Sequence, residues 1–389
     1  MTIEELHASE CTGCKLCGDI CPKSAIYFEN DNTGFWFPKI NHELCINCNL
    51  CYKKCPSLNV INSGYKSVPL VYAVWSLDDN VRCESTSGGV YYELAKGFIE
   101  NGGYIVGSVF SDDYKSARHI VGHSIQDLKR IMGSKYFQSD TEGIYKSIKK
   151  LLDARKKVMF TGTPCQIAAI ASIFGTDNPN LFLCDFICKG INSPKAYKAY
   201  VEEIESKIGS KIVAVKQKSK KTGWESLATN IKFENGKEYH KDRYTDWWIR
   251  GYTCGNLFMR ENCQMCRYKG IPRLADITMG DFWKIENCSD DDLYKGISVC
   301  FVNSDKGDIL LKSIKGKTHI EERTLDEVVK GNPYLFGQAL QKGDRNRFFE
   351  MLDNTSFSSA VKATYTETSK QKIKRIIKIL LKKLGRKKW

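Results

Sequence analysis

Apolar residues in the first half of the chain change from strand spacing to helix spacing and back. A short apolar run at residues 71–75 predicts a strand, and Ser85-Thr86-Ser87-Gly88-Gly89 reads as a turn into a helix. The helix is predicted from apolar positions at helical spacing between Val90 and Ile99, and Asn101-Gly102-Gly103 ends it before a second strand at residues 104–110. This pattern is typical of helices that pack on a sheet.

The same order recurs further along. Residues 158–160 predict a strand, Thr161-Gly162-Thr163-Pro164 a turn, residues 165–174 a helix and residues 181–187 the next strand. The recurrence predicts that these elements and the earlier ones belong to one mixed α and β region.

Later segments give clear turn and capping signals. Ser193-Pro194 is typical of a helix start, because serine caps the helix and proline suits its first position. Residues 212–239 resemble antiparallel strands with Asn235-Gly236 as a hairpin turn, and Thr324-Leu325-Asp326-Glu327 is a capping box that opens one of several short helices. We therefore predict an α+β fold.

The last twenty residues have a different composition. Residues 370–389 contain ten Lys and Arg and no Asp or Glu, and Ile373, Ile376, Ile377 and Leu380 recur at helical spacing. Without these ten cations, 49 Lys and Arg face 45 Asp and Glu, so most of the net charge of +14 lies in this tail. Two interpretations remain open, an amphipathic helix on an anionic membrane surface and a disordered solvated tail.

Composition excludes several classes of protein. The 389 residues are 42% hydrophobic, which suffices for a sizeable core, and no apolar run reaches the ~18 residues of a membrane span. The N-terminus has no basic region followed by an apolar stretch, so we expect no secretory signal and a cytoplasmic protein, at most peripheral at the inner face of the membrane. Because most of the net positive charge lies in the tail, we expect no nucleic-acid partner.

Eight of the seventeen cysteines form a repeat. Each run reads Cys-x-x-Cys-x-x-Cys-x-x-x-Cys-Pro, and the second lies 34 positions after the first. Three closely spaced thiolates surround one 4Fe–4S cluster, and the fourth, before proline, binds the other. We assign one cluster to Cys11, Cys14, Cys17 and Cys55 and a second to Cys45, Cys48, Cys51 and Cys21, within a domain at residues 1–62. The alternative is a pair of zinc knuckles, which seldom use three cysteines in tandem plus a fourth.

Four further cysteines are candidates for a third cluster. Cys165 lies at a predicted helix N-terminus, Cys188 ends a predicted strand, and Cys263 and Cys266 form a pair with basic neighbours Arg260 and Arg267. Spacing alone cannot bring four distant cysteines together, so the alternative that some are small buried side chains stays open. Cys83, Cys184, Cys254, Cys288 and Cys300 are interpreted as structural.

Two glycine-containing turns and one acidic strand are candidates for a cofactor site. Ser87, Gly88 and Gly89 offer N–H groups and hydroxyls at a helix N-terminus, which suits a flavin phosphate, and the second such turn is Thr161, Gly162 and Thr163. A plain helix cap explains both equally well. Asp276 and Asp281 flank an apparent strand, where they either line a cofactor pocket or lie solvated at its rim.

Taken together, these motifs resemble a known family. The repeat resembles bacterial ferredoxins, and residues 70–305 resemble the coenzyme F-420 hydrogenase/dehydrogenase beta subunit family. The resemblance rests on Ser87-Gly88-Gly89, on Gly133-Ser134-Lys135-Tyr136-Phe137-Gln138-Ser139, on Phe160-Thr161-Gly162-Thr163-Pro164-Cys165-Gln166 and on residues 263–283 with their Gly280-Asp281-Phe282-Trp283. It implies FAD, a third cluster on Cys165, Cys188, Cys263 and Cys266, and contacts from Lys135 and Gln138 near the flavin ring. Lys189 and Lys284 depart from the family pattern, which leaves the substrate open.

The resemblance implies a division into five segments. They are a two-cluster ferredoxin domain at 1–62, the two parts of a mixed α/β flavin-binding domain at 70–150 and 151–305, a helical extension at 306–368 and a basic amphipathic tail at 369–389. The expected function is electron transfer between 4Fe–4S clusters or ferredoxin and an organic two-electron substrate, such as coenzyme F-420, through FAD. The alternative is a non-catalytic subunit that passes electrons to a separate enzyme.

Overall fold

The computed structural model describes residues 1–61, 65 and 67–383, with side chains to residue 380. The last residue of the predicted N-terminal domain and residues 384–389 of the tail lie outside the described residues.

The N-terminal domain is small and repeats its backbone as it repeats its sequence. It contains a hairpin of β1 (Ile26–Asn30) and β2 (Trp36–Ile40) and two short helices, α1 (Leu16–Asp19) and α2 (Leu50–Lys54). Each helix begins after a residue in the left-handed conformation, Lys15 at φ 57° and Asn49 at φ 60°, which are 34 positions apart. Its own buried hydrophobic cluster is small and contains Ile3, Ile40 and Cys55, so we expect folding of this domain to depend on its cysteine sites.

A mixed sheet of eight strands forms the centre of the rest of the chain, which we call the large domain. Its spatial order is β13-β3-β12-β11-β7-β6-β4-β5. The four central strands β4, β6, β7 and β11 are parallel neighbours, and the pairs outside them are antiparallel. The strands are β3 (Leu70–Ser76), β4 (Tyr104–Phe110), β5 (Ala117–Gly122), β6 (Val158–Thr161), β7 (Leu181–Phe186), β11 (Ile277–Asp281), β12 (Ser298–Val302) and β13 (Thr318–Arg323).

Helices cover the sheet, and a second sheet packs beside it. The smaller sheet is antiparallel, in the order β10-β9-β8, with β8 (Ile212–Ser219), β9 (Ala228–Phe233) and β10 (Glu238–Lys241). The helices are α3 (Asp79–Glu84), α4 (Val90–Glu100), α5 (Ile125–Ile131), α6 (Ile144–Asp153), α7 (Pro164–Phe174), α8 (Pro194–Ile208), α9 (Trp247–Arg250), α10 (Asp290–Lys295), α11 (Asp305–Ser313), α12 (Leu325–Gly331), α13 (Arg345–Leu352), α14 (Phe357–Thr364) and α15 (Ser369–Lys383).

The predicted α+β fold is confirmed, and its strongest local signals mark real element boundaries. Ser193 caps α8 and Pro194 is its first residue, and Thr324 opens α12 with a capping box. The strand predicted at residues 104–110 is β4. Local side-chain chemistry sets these boundaries, which is why the sequence predicts them.

Three strands of the large domain were not predicted, and neither were β1 and β2 of the N-terminal domain. β5 and β12 lie within segments 70–150 and 151–305, and β13 lies within segment 306–368, which was expected to be helical. β13 pairs with β3 along the edge of the main sheet, so strands from all three segments share one sheet. Its sequence contains one apolar residue, Ile320, among polar and charged ones, so it carries only a weak strand signal.

Among the described residues, no helix is both long and apolar enough to cross a membrane.

Candidate functional site

A cavity of about 770 Å³ opens at the carboxyl ends of the parallel strands. The segments that line it follow β6, β7 and β11, at Thr161–Thr163, Phe186–Ile191 and Met279–Asp281. Open α/β sheets bind ligands at this edge, because the loops after parallel strands converge there. The cavity volume lies within the range of about 300–1,000 Å³ that holds small-molecule ligands and cofactors.

Most of the predicted cofactor residues lie on the cavity wall. The two that do not are Gly88 and Asp276. The ones that do are Ser87, Gly89, Lys135, Gln138, Thr161, Gly162, Thr163 and Asp281.

Gly88 and Asp276 are instead held in the protein interior. The Gly88 N–H donates to Ser298 Oγ at 2.8 Å, which fixes the turn before α4. Asp276 is fully buried, and its carboxylate accepts hydrogen bonds from Leu183 N at 2.7 Å and Ser304 Oγ at 2.6 Å. Asp276, just before β11, therefore connects β7 to the start of α11. Asp281, the last residue of β11, lies on the cavity wall.

Two helix N-termini point to the cavity wall. Gly89 precedes α4 at φ 92°, a conformation in which a side chain is strained, and Thr163 caps α7 in a capping box with Gln166. The N–H groups at such ends favour anionic groups. The sequence therefore places two anion-compatible helix ends on one cavity.

Two half-buried lysines lie on the wall, and their surroundings disfavour the charged form. Lys135 Nζ donates to the main-chain oxygen of Ile131 at 2.7 Å, and burial lowers the pKa of Lys135 to about 7. Lys189 Nζ donates to the oxygens of Tyr252 at 2.7 Å and Thr253 at 3.1 Å, and burial lowers the pKa of Lys189 to about 7 as well. Both acceptors of Lys189 belong to a π-helical turn at Gly251–Gly255, a geometry that frees main-chain oxygens.

The eight N-terminal cysteines separate into the two predicted groups. Each group surrounds its own small cavity in the N-terminal domain. We call Cys11, Cys14, Cys17 and Cys55 the inner group, because Cys14 also lines the large cavity. We call Cys21, Cys45, Cys48 and Cys51 the outer group, in which Cys48 is exposed. In each group three cysteines come from one run of the repeat and the fourth comes from the other run, as the sequence predicts.

The fold also brings together Cys165, Cys188, Cys263 and Cys266, which we call the third group. Burial raises the pKa of the Cys165 thiol well above its usual range, and the neighbouring charges of Cys266, Cys188 and Cys263 raise it further. Burial likewise raises the pKa of Cys188 to about 12 and of Cys263 to about 11. Cys165, Cys188 and Cys263 are therefore unfavourable as free thiolates, and bound metal is what deprotonates such ligands.

The donor chemistry fits 4Fe–4S clusters. No group of three or more His, Cys, Asp or Glu is placed to hold a single metal ion within residues 1–61, 65 and 67–383. In a 4Fe–4S cluster each thiolate binds a different iron, so its four ligands do not have to converge on one ion.

The contacts that join the two domains at this site could not be predicted from the sequence. Its one indication of them is the basic residue Arg260 beside the Cys263 and Cys266 pair. Arg260 donates from Nε to the Cys11 oxygen at 2.7 Å and from a terminal nitrogen to Gln138 Oε1 at 3.0 Å. Gln138 Nε2 in turn donates to the oxygens of Thr12 and Gly13, both at 3.2 Å. Arg260 and Gln138 therefore join the inner group to the cavity wall. These contacts exist because the two domains pack against each other.

Comparison with known proteins identifies two regions of the chain. Residues 155–328 match the family described as the C terminus of the coenzyme F420 hydrogenase/dehydrogenase beta subunit. Residues 10–59 match the family described as 4Fe-4S dicluster domain. The resemblance drawn from the sequence is thereby confirmed for these two regions, one of which is an iron–sulfur domain.

Individual relatives are more distant. An uncharacterised protein of Methanocaldococcus jannaschii is 26% identical over 209 residues, covering 45% of this chain and 56% of the relative. An uncharacterised ferredoxin of the same organism is 35% identical over 48 residues, covering 12% of this chain and 61% of the relative. The chain thus spans 56% and 61% of the length of these two curated relatives. A chain of the F420-reducing NiFe hydrogenase complex from Methanosarcina barkeri has a TM-score of 0.47 at 16% identity, covering 78% of this chain and 94% of that chain.

Proposed function

We propose that this chain, which joins a 4Fe–4S dicluster domain to a C-terminal domain of the coenzyme F420 hydrogenase/dehydrogenase beta subunit family, is an iron–sulfur flavoprotein oxidoreductase. It transfers electrons between its clusters and an organic two-electron substrate, coenzyme F-420 or another reducible compound. Three 4Fe–4S clusters are proposed, on the inner, outer and third groups, with FAD in the large cavity.

One observation carries this proposal. Cys14 of the N-terminal domain and Cys165 and Cys188 of the large domain line the same cavity as Ser87 and Gly89. Cysteines from both domains, which are proposed to bind one-electron clusters, therefore lie beside a single cavity. That cavity has the volume and the helix N-termini that a dinucleotide cofactor needs.

The residues fit FAD in distinct ways. Ser87, Gly89, Thr161, Gly162 and Thr163 would hold its phosphates, since they lie at or beside the N-termini of α4 and α7. Gly88 and Asp276 support this wall from behind. When bound, FAD exchanges two electrons with an organic substrate and single electrons with clusters.

Lys135 and Lys189 lie on the same wall. Lys135 and Gln138 are proposed to lie near the flavin ring, as the family resemblance implies. When protonated, a lysine at this position stabilises negative charge on whatever occupies the cavity, because little water is present to screen it. Aromatic side chains of Tyr136, Tyr252 and Trp283 line the cavity too, which favours a planar ligand.

The cavity favours an enzyme over a non-catalytic electron-transfer subunit. A carrier protein needs only a docking face near an exposed cluster, whereas this chain has a cavity of about 770 Å³ lined by residues of both domains. The expected protein partner is ferredoxin or another redox protein that exchanges electrons with the outer group, whose Cys48 is exposed.

We also propose that the basic tail binds an anionic membrane surface. In α15 the side chains of Ile373, Ile376, Ile377 and Leu380 are all between 43% and 58% exposed. Glu367, just before the helix, pairs with Arg250 of the large domain at 3.2 Å and with Arg375 at 2.9 Å, which anchors the helix base. An exposed apolar stripe flanked by cations suits a peripheral position at the inner face of the membrane.

Anaerobic purification tests the proposed function. We expect about twelve irons and one FAD per chain. The reduced protein is then titrated with coenzyme F-420, quinones and ferredoxin, and the compound that reoxidises it stoichiometrically identifies the substrate class. Colourless protein, or iron without flavin, would remove the enzyme proposal.

A further inference from the structure

The large domain buries an arginine that forms no ion pair with the described acidic residues. Five arginines of the described chain are buried, and four of them pair with a carboxylate: Arg82 with Asp292 at 2.8 Å, Arg250 with Glu367 at 3.2 Å, Arg273 with Asp185 at 2.8 Å and Arg345 with Glu261 at 3.4 Å. The fifth, Arg260, is 2% exposed, and the ion pairs formed within the described part of the chain do not include it. Because an uncompensated buried charge is costly, Arg260 must be stabilised by something other than an acidic side chain.

Arg260 contacts two different cysteine groups. Its guanidinium Nε donates to the main-chain oxygen of Cys11, in the inner group, at 2.7 Å. Its own main-chain oxygen accepts a hydrogen bond from the N–H of Cys263, in the third group, at 3.0 Å. Arg260 thus bonds to the inner group through its side chain, across the boundary between the two domains, and to the third group through its main chain, within the large domain.

The surroundings of Arg260 exclude water. The guanidinium lies 4.4 Å from the ring centre of Phe37 and 5.1 Å from that of Phe35, and Phe35 is 1% exposed. The charge therefore acts through a medium of low dielectric constant, where its effect on a nearby charge is several times larger than in water.

The sequence repeat provides an internal comparison. All four main-chain oxygens of the inner loop, residues 11–14, accept hydrogen bonds from side chains. The donors are Arg260, Gln138, Trp36, Thr141 and Tyr145. The equivalent oxygens of the outer loop, residues 45–48, accept none from the side chains that the structure describes. Two nearly identical sequence motifs therefore lie in different electrostatic environments.

We propose that Arg260 is the shared counter-charge of the inner and third clusters, and that it raises the reduction potential of both relative to the outer cluster. The inference rests on the proposed function, because it requires clusters on both cysteine groups. A cluster gains one negative charge on reduction, and a buried cation nearby stabilises that extra charge. The guanidinium of Arg260 bonds directly to the inner loop at Cys11, and Arg260 stands three residues before Cys263 of the third group, to which its main chain is bonded. Arg260 is a positioning residue, since it acts through the ligand loops and does not touch substrate.

The test is an EPR-monitored redox titration of the anaerobic, iron-replete holoprotein. Arg260→Gln removes the charge and keeps a hydrogen-bonding side chain. Two of the three cluster potentials should fall, each by at least ~59 mV, which is a tenfold change in the ratio of reduced to oxidised cluster for a one-electron couple. The third potential, that of the outer cluster, should not change.

Arg345→Gln is the matched control. Arg345 is also a buried arginine at the domain boundary, where it donates to Thr33 Oγ1 at 3.3 Å, but its charge is paired with Glu261. Within the described residues, none of its hydrogen bonds goes to a cysteine of the three groups. All three potentials should therefore remain at the wild-type values in this variant. Arg260→Lys, which keeps the charge, should restore most of the loss seen in Arg260→Gln.

A second variant covers the case in which Arg260→Gln loses iron. Gln138→Glu keeps Arg260 and places a carboxylate beside a terminal nitrogen of its guanidinium, where the wild type has no acidic side chain. The potentials of the inner and third clusters should therefore fall in this variant too. Unchanged potentials in an iron-replete Arg260→Gln or Gln138→Glu protein would overturn the inference. Wild-type protein without a third cluster would instead refute the proposed function, a result that iron analysis shows before any variant is made.

Discussion

The hydroxyl of Tyr145, on α6 of the large domain, donates a hydrogen bond of 2.7 Å to the main-chain oxygen of Cys14 in the N-terminal domain. Thr141 Oγ1 donates to the same oxygen at 2.7 Å, and the Asp19 carboxylate accepts from the N–H of Tyr145 at 3.0 Å. These contacts surround a cysteine that lines the cavity. They hold the ferredoxin domain as a fixed part of the site, because each is a buried or half-buried bond between specific atoms of the two domains.

The third cysteine group should bind iron. In Cys165→Ala we expect iron to fall from about twelve to about eight atoms per chain, because one four-iron cluster loses a ligand. Chemical iron analysis after anaerobic purification measures this. Cys300→Ala is the control, since Cys300 is a buried cysteine that lies in β12 within a hydrophobic cluster, and this variant should retain all its iron. Equal iron in the two variants would contradict the assignment.

The turn before α4 should require glycine at position 89. A side chain there is strained at φ 92°, and its Cβ would lie 3.2 Å from both Ser76 Cβ and Val81 Cγ1. Gly89→Ala should therefore lower stability by ~1–2 kcal/mol and reduce the flavin content of the purified protein. Gly97→Ala, within the same helix and with no atom within 4 Å of the new Cβ, should be neutral or stabilising. Thermal unfolding and flavin absorbance report the two effects.

Asp276 should matter for folding and not for the ligand. Asp276→Asn replaces a fully buried acceptor of three or more hydrogen bonds, so we expect a loss of ~3 kcal/mol in the free energy of unfolding. The folded fraction should bind flavin with unchanged affinity, because Asp276 lies outside the cavity. Flavin titration of the apoprotein measures this. Stable Asp276→Asn protein with weakened flavin binding would argue against its structural role.

His119 should make the protein less stable in acid. Burial lowers the pKa of His119 to about 4, below the value of about 6.5 expected in the unfolded chain. Between these two pH values the unfolded state binds a proton that the folded state does not. The contribution of His119 to the free energy of unfolding is therefore complete above pH ~6.5 and is lost as the pH falls toward ~4. In this range the free energy of unfolding changes by up to ~1.4 kcal/mol per pH unit.

The variant His119→Gln isolates this contribution. Its stability should depend less steeply on pH than that of the wild type between pH ~6.5 and ~4, while contributions from the clusters cancel in the comparison. Chemical denaturation at a series of pH values measures the difference. Parallel curves for the two proteins would show that His119 does not titrate in this way.

The tail should bind anionic lipid. Wild-type protein should float with vesicles that contain phosphatidylserine and not with phosphatidylcholine alone, because ten cations in residues 370–389 require negative headgroups. Deletion of residues 370–389 should abolish flotation without changing iron content. Flotation that persists after the deletion would rule out the tail as the membrane-binding segment.

The sequence determined those features that depend on near neighbours in the chain. The 34-residue cysteine repeat, the capped start of α8 at Ser193 and the hairpin at Asn235-Gly236 each follow from side chains within a few positions of one another. The eight N-terminal cysteines fall into two runs for the same reason, and the spacing within each run is typical of 4Fe–4S cluster ligands. The cavity-lining turns at Ser87 and Thr161 were also visible as glycine-containing junctions.

Only the tertiary structure decided which distant residues meet. Asp276 and Asp281 look equivalent in the sequence, yet one is enclosed between β7 and α11 and the other reaches the cavity. The inner and outer cysteine loops are near copies, and only the docking of the large domain gives one of them Arg260 and Tyr145 as donors. Local chemistry acts over a few residues and is encoded in spacing, whereas burial and charge at the site depend on contacts between segments that are far apart in the chain.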